Sequence, residues 1–144
     1  MKKLGIFMAD GCEEIEGLTV VDLVRRTDDI EITMISITDK KEVTGSHNVT
    51  FFADVLSSEV DFDSLDGVIL PGGMPGTLNL GANETVNAVI KKFAVEGKLV
   101  AAICAAPSVL AAAGLLEGKN ATSYPSFEEK LTGANVVKDA VAVD

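Results

Sequence analysis

Tryptophan is absent from this sequence of 144 residues, tyrosine and histidine occur once each, and there are two cysteines and four prolines. With so few aromatics, a core has to be assembled from Val, Ile, Leu and Ala. One histidine, His47, cannot complete a Cys/His zinc set, and Cys12 and Cys104 form no CxxC pair or metal-ligand cluster. The expectation is therefore no metal, no cofactor, and two free thiols in a reducing compartment such as the cytoplasm. Positive charge is also scarce: 12 Lys and Arg face 22 Asp and Glu, a formal net charge of −10. That balance argues against nucleic acid and anionic membrane as partners, since both require basic patches. The apolar stretch after Met1-Lys2-Lys3 meets Asp10, Glu13, Glu14 and Glu16 too soon for a signal peptide or a membrane span. Repeats, low-complexity segments and Pro- or Ser-rich linkers are likewise missing.

What is present is apolar alternation. A hydrophobic share of 47% and a mean hydropathy of +0.31 suit one domain with a central sheet covered on both faces. "KLGIFM" (Lys3 to Met8) predicts a strand and "EIEGLTVVDLVRR" a helix, with Ile15, Leu18, Val21, Leu23 and Val24 as its stripe and Gly17 as a weak point. "IEITMISI" (Ile30 to Ile37) is a second strand, "VTGSHNVTFFAD" a hairpin, and "DGVIL" (Asp66 to Leu70) a buried strand running into "PGGMPG". "NETVNAVIKKFAVEGK" predicts a helix with Asn83 as N-cap, Val86, Val89, Ile90 and Phe93 as its stripe, and Gly97 as its stop. "LVAAI" is a further strand, and Ala106 to Ala113 a helix ended by Gly114. This order predicts an α/β fold, a mostly parallel sheet with helices on both faces and ligands at the carboxyl ends of its strands.

Two interruptions fall at such ends: Pro71-Gly72-Gly73 and Cys104. If Cys104 joins strand to helix with no linker, the chain turns sharply there, as in a nucleophile elbow. Small Ala101, Ala102, Ala105 and Ala106 keep the turn clear, and Pro107 fits the first helical turn. A thiol at a helix N-terminus is expected to have a lowered pKa. Burial as a small hydrophobe is the equal alternative for this cysteine. Adjacent Gly72 and Gly73 can aim backbone N–H groups at one point, as an oxyanion hole requires, or form a plain turn. Glu13, Glu14 and Glu16 all fit as ordinary acids of a first helical turn, and nothing in their order selects one.

"DGCEEIEG", "VILPGGMPG" and "AAICAAPSVLAAAGLL", in this order and spacing, resemble the DJ-1/ThiJ/PfpI superfamily, most closely its parkinsonism-associated DJ-1 branch and bacterial relatives. The resemblance extends through "VDLVRR", "NLGANETV" and "VVKDAVAVD". It implies a flavodoxin-like three-layer sandwich. It also implies that Cys104 is the reactive elbow cysteine and Glu16 the acid that is protonated and hydrogen-bonds the sulfur. By the same likeness the amides of Gly73 and Ala105 bind an anion, with Gly72 shaping the turn. Arg26 and His47 stand where relatives gather groups near the site across a homodimer interface.

The implied functions are cofactor-free chemistry on small reactive aldehydes or glycated adducts (glyoxalase III-like or deglycase-like), or a redox-sensing stress protein or chaperone whose cysteine oxidises to sulfinate. Tyr124, in "TSYPS", stands where many relatives carry a histidine, and Ala105 rather than histidine follows Cys104. A Cys-His protease or amidotransferase is therefore not expected. Relatives continue past the equivalent of Asp144 with a strand, a Gly-Pro-Gly loop and a helix. The 144 residues are thus expected to be a domain lacking its C-terminal strand and helix, with that fragment as a partner.

Overall fold

A computed structural model describes all 144 residues. In chain order the elements are β1 (Lys2–Met8), α1 (Glu14–Arg25), β2 (Ile30–Ser36), β3 (Glu42–Thr44), β4 (Thr50–Phe52), β5 (Val55–Leu56), β6 (Gly67–Leu70), α2 (Gly76–Ala82), α3 (Glu84–Glu96), β7 (Leu99–Ala102), α4 (Pro107–Ala112), β8 (Asn120–Ala121) and β9 (Asn135–Val136). Five strands form a parallel sheet in the order β5-β2-β1-β6-β7. The expected α/β, flavodoxin-like architecture is the one observed.

Period-2 alternation sends neighbouring residues of β1 into different cores. Phe7 and Ala9 join Ile35, Val68, Leu70, Leu80, Val86, Ile90, Phe93 and Val109 on the face covered by α2, α3 and α4. Ile6 and Met8 join Val21, Ile32, Met34, Val43 and Ala53 on the face covered by α1 and the β3–β4 hairpin. The chain leaves β1 toward β2 and β5, then returns to the other side of β1 for β6 and β7. That reversal opens a crevice beyond the carboxyl ends of β1 and β6, where ligands bind in sheets of this kind.

Local signals account for most element ends. Asn83 Oδ1 accepts the Val86 N–H at 3.0 Å, capping α3, and Gly97 leaves that helix in the left-handed region. The hairpin forms where expected, with Val43 opposite Phe51.

Three expectations are corrected. Ile15 and Leu23 are 72% and 57% exposed, because α1 packs through Glu14, Gly17 and Val21 instead. Gly17 is the close-contact point, since a Cβ there would stand 3.2 Å from the Met8 sulfur. Helix α2 was not anticipated, because "GTLNLGA" has two glycines and weak intrinsic propensity; burial of Thr77 and Leu80 against its neighbours holds it. Helix α4 spans only Pro107–Ala112, and a turn precedes it.

Phe93 is fully buried, while Val95 in the same helix is 90% exposed. Phe93→Ala is expected to cost about 3–5 kcal/mol and Val95→Ala less than about 0.5 kcal/mol. Denaturant midpoints at unchanged slope provide the check.

Candidate functional site

The site is built where the ends of β1, β6 and β7 meet. After β7, Ile103 still donates its N–H to Leu70 O at 3.2 Å. The chain then reverses at Cys104, whose φ is +61°, one of two non-glycine residues in the left-handed region. The Ala106 N–H returns to Ile103 O at 3.0 Å, and the Tyr124 N–H closes on Cys104 O at 2.8 Å. Ala105 and Ala106 are buried, so a larger side chain at either would meet packed neighbours. A sharp turn, rather than a direct strand-to-helix junction, therefore carries Cys104.

From β1, the loop 9–13 feeds α1. Glu13 is its N-cap, with Oε2 accepting the Glu16 N–H at 2.9 Å. The close seat of Gly17 on Met8 places Glu16 over the strand ends. Glu16 Oε2 accepts the Gly72 N–H at 2.8 Å. Gly72 is wedged between both chemical groups. A Cβ there would lie 2.7 Å from Glu16 Oε2, 2.8 Å from Cys104 Cβ and 2.9 Å from Ile103 O. Gly73 turns with φ +91°, and its missing Cβ lets it sit against the backbone of Cys12 and Glu13. The Glu13 N–H reaches Gly72 O at 2.9 Å and the Gly76 N–H reaches Gly11 O at 3.0 Å, locking the two loops together.

These contacts converge on Cys104, whose thiol lies within the electrostatic reach of the Ala105 and Gly73 N–H groups and of the Glu16 carboxyl. Cys104, Glu16, Gly72, Gly73 and Ala105 thus lie together. The expected lowering of the thiol pKa is not what this environment produces. Burial, and then Glu16 through its hydrogen bond and charge, push the thiol up to about 11, against the pull of the Ala105 and Gly73 N–H groups. Helix α4 begins three residues after the cysteine and is six residues long. Two turn amides, not a helix terminus, supply the positive potential.

Other candidates fall elsewhere. Tyr124 adjoins Cys104 through its backbone, but its side chain is largely solvent-facing. Arg26 pairs with Asp22 at 2.9 Å at the far end of α1, away from the sulfur. His47 sits at the hairpin tip beside Glu13 and Glu14. Cys12 is buried apart from Cys104, with its thiol pushed up to about 11 by burial and then by Glu14.

Two supporting residues carried no sequence signal. Glu14, an apparent surface acid, is buried and accepts the N–H groups of His47 and Val49. Asp10 holds the loop by accepting the Thr44 N–H at 3.0 Å, and its carbonyl receives Asn79 Nδ2 at 2.8 Å. Only the folded hairpin and α2 create these partners.

The DJ-1/PfpI family profile matches residues 2–144. This chain belongs to the DJ-1/PfpI family. It is 37% identical over 145 residues to protein DJ-1 homolog B of Arabidopsis thaliana, covering 99% of this chain and 33% of that protein. A deglycase of Thermococcus kodakarensis is 34% identical over 145 residues, covering 99% of this chain and 85% of that protein. Among solved structures, a DJ-1 superfamily protein of Salmonella typhimurium, studied as a cysteine-to-alanine mutant, superposes with a TM-score of 0.93 at 32% identity. That match covers 100% of this chain and 78% of the other. The chain therefore spans about a third of the Arabidopsis relative and most of the other two. None of its helices is long and apolar enough to cross a membrane.

The DJ-1/PfpI elbow holds its cysteine in a backbone region that L-residues avoid at about 1–2 kcal/mol. Cys104→Gly is therefore expected to be more stable than Cys104→Ala by about 1 kcal/mol, measured by chemical denaturation. Equal stabilities would show that the turn stores no strain.

Proposed function

We propose that this chain is a cysteine enzyme for small reactive aldehydes or glycated adducts, with Cys104 as nucleophile and Glu16 as its proton partner. One observation carries the reading: the cysteine turn, the glycine loop and the start of α1 meet at Gly72, where a Cβ would lie 2.7 Å from Glu16 Oε2 and 2.8 Å from Cys104 Cβ, beside a partly exposed thiol. The likeness to an archaeal deglycase supports the substrate class.

In this reading Cys104 and Glu16 share one proton, which can stand on either partner. With the proton on Glu16, the thiolate faces three donors: Ala105 N–H, Gly73 N–H and the Glu16 O–H. With the proton on sulfur, the carboxylate faces the Gly72 N–H and a weak S–H donor. The raised thiol belongs to the second arrangement; we take the first as the reactive one.

The thiolate then adds to the aldehyde carbon. An S–C bond forms, the carbonyl π electrons move to oxygen, and the alkoxide takes the Glu16 proton, leaving a neutral hemithioacetal and a carboxylate. The Gly73 and Ala105 amides, freed from the thiolate, face the developing oxyanion. For a 2-oxoaldehyde, Glu16 next moves the C1 proton to C2 while the C1 hydroxyl proton passes to the C2 oxygen, and water hydrolyses the resulting thioester to a 2-hydroxy acid and the free Cys104 thiol.

The same two amides would also hold sulfinate oxygens, which favours redox sensing as the second reading. In our reading the chain acts in the cytoplasm as a homodimer, with exposed Ile15 and Leu23 on α1 as apolar surface for a second copy.

Methylglyoxal consumption with wild type, Cys104→Ser and Glu16→Gln tests the reading, alongside alkylation rate against pH. Cys104→Ser is expected to be inactive and Glu16→Gln slower by about 10²–10⁴-fold. The alkylation midpoint should fall in Glu16→Gln, because the carboxyl that pushes the thiol up through its hydrogen bond and charge is lost. A midpoint that rises would mean that a carboxylic acid already supports the thiolate at rest. Undiminished turnover in Cys104→Ser would end the enzyme reading, and sulfinate formation without turnover would favour the sensor.

A further inference from the structure

A second cluster of polar groups lies at the hairpin tip, beside the cysteine site, with which it shares the Glu13 cap. His47 Nδ1 stands 3.4 Å from Glu13 Oε1 and 3.4 Å from Glu14 Oε1. Ser46 Oγ is 3.2 Å from the same nitrogen and 3.5 Å from Glu14 Oε1. Zinc bonds to nitrogen and oxygen of about 2.0–2.1 Å give a regular tetrahedron edges of about 3.3–3.4 Å. Four of the six edges among these atoms are thus already close to that length. The ligand atoms of Glu13, Glu14 and His47 all fall within 4.8 Å of one another.

The two carboxylates are held in the manner of metal ligands. In each, one oxygen is anchored by backbone and the other is turned toward the imidazole. Glu13 Oε2 accepts the Glu16 N–H at 2.9 Å. Glu14 Oε2 accepts the N–H groups of His47 at 3.0 Å and Val49 at 3.1 Å, and the His47 N–H also reaches Oε1 at 3.2 Å. Such outer hydrogen bonds orient ligands at metal centres. Gly45 lets the hairpin close, since a Cβ there would run into the Glu14 side chain. The imidazole is largely exposed, leaving a path for an ion and for bound water.

We propose that Glu13, Glu14 and His47 form a divalent transition-metal site, with Ser46 or a water it holds completing the set. One imidazole nitrogen with carboxylate oxygens suits Zn²⁺ or Co²⁺ better than Ca²⁺, which takes oxygen alone. The ion would pin the hairpin tip to the start of α1. Cysteines and the one histidine make no zinc set in the sequence; the fold brings Glu13 and Glu14 to His47 from a distant segment.

The test uses the full chain, stripped with chelator, in a Cys104→Ser background so that the reactive thiol contributes nothing. Co²⁺ is titrated with visible absorption and calorimetry, with Zn²⁺ as competitor. One ion per chain is expected, with d–d bands of low-coordinate Co²⁺ and no sulfur charge-transfer band. Outer hydrogen-bond partners are worth about 10–100-fold in affinity, so removing a ligand in His47→Ala or Glu13→Gln should weaken binding at least tenfold. His47 is exposed, so His47→Ala should keep the parent melting temperature without metal and lose the rise that Zn²⁺ produces in the parent. Flat calorimetry at millimolar Co²⁺ would overturn the site. So would binding that is indifferent to His47→Ala, or binding found only when Cys104 is present.

Discussion

The close approach of backbone to backbone at Gly72 is the constraint on which the functional end of this molecule depends. Strands β6 and β7 are neighbours in register, with Leu70 beside Ala102, so the segments that follow them must separate within one or two residues. They do so around a position with no Cβ. Glu16 Oε2, Cys104 Cβ and Ile103 O all crowd the space a side chain would need. Because Gly72 yields that space, its N–H can hold the carboxyl and the next residue can direct its own N–H at the sulfur. The cysteine turn, the start of α1 and the glycine loop are three parts of one packed unit.

That unit surrounds the Cys104 sulfur without a histidine. A carboxyl on a helix seated through Gly17 lies beside it, and positive potential comes from two amides instead of a long helix. The neighbouring α1 face shows the same economy. Glu14 is buried, yet the hairpin amides answer its charge, and the hairpin is held in turn by Asp10. Acids that look alike in sequence do separate jobs: Glu13 caps, Glu14 anchors, and Glu16 meets the sulfur.

Legibility followed the range of the interactions. Helix α3 could be read from its own residues, because Asn83, the apolar stripe and Gly97 act within single turns. The strands of the parallel sheet read as apolar runs, because both faces are covered. The buried face of α1 departs from its apolar stripe, because Gly17 and Glu14 face inward for reasons that lie in Met8 and the hairpin. Helix α2 was invisible, because packing and not propensity holds it. The direction of the thiol shift is not legible in the sequence, because burial and Glu16 reach Cys104 through space.

By itself, the sequence determined the α/β class, the strand ends at Gly72 and Cys104, and the three motifs that mark the family. Those depend on hydrophobic period and on residues adjacent in the chain. Tertiary structure alone decided which of three acids reaches the sulfur, that Arg26 stays with Asp22 on its own helix, and that His47 meets Glu13 and Glu14. Each of these is settled by side-chain direction on α1 and by a hairpin folded back from some thirty residues away, which no local pattern encodes.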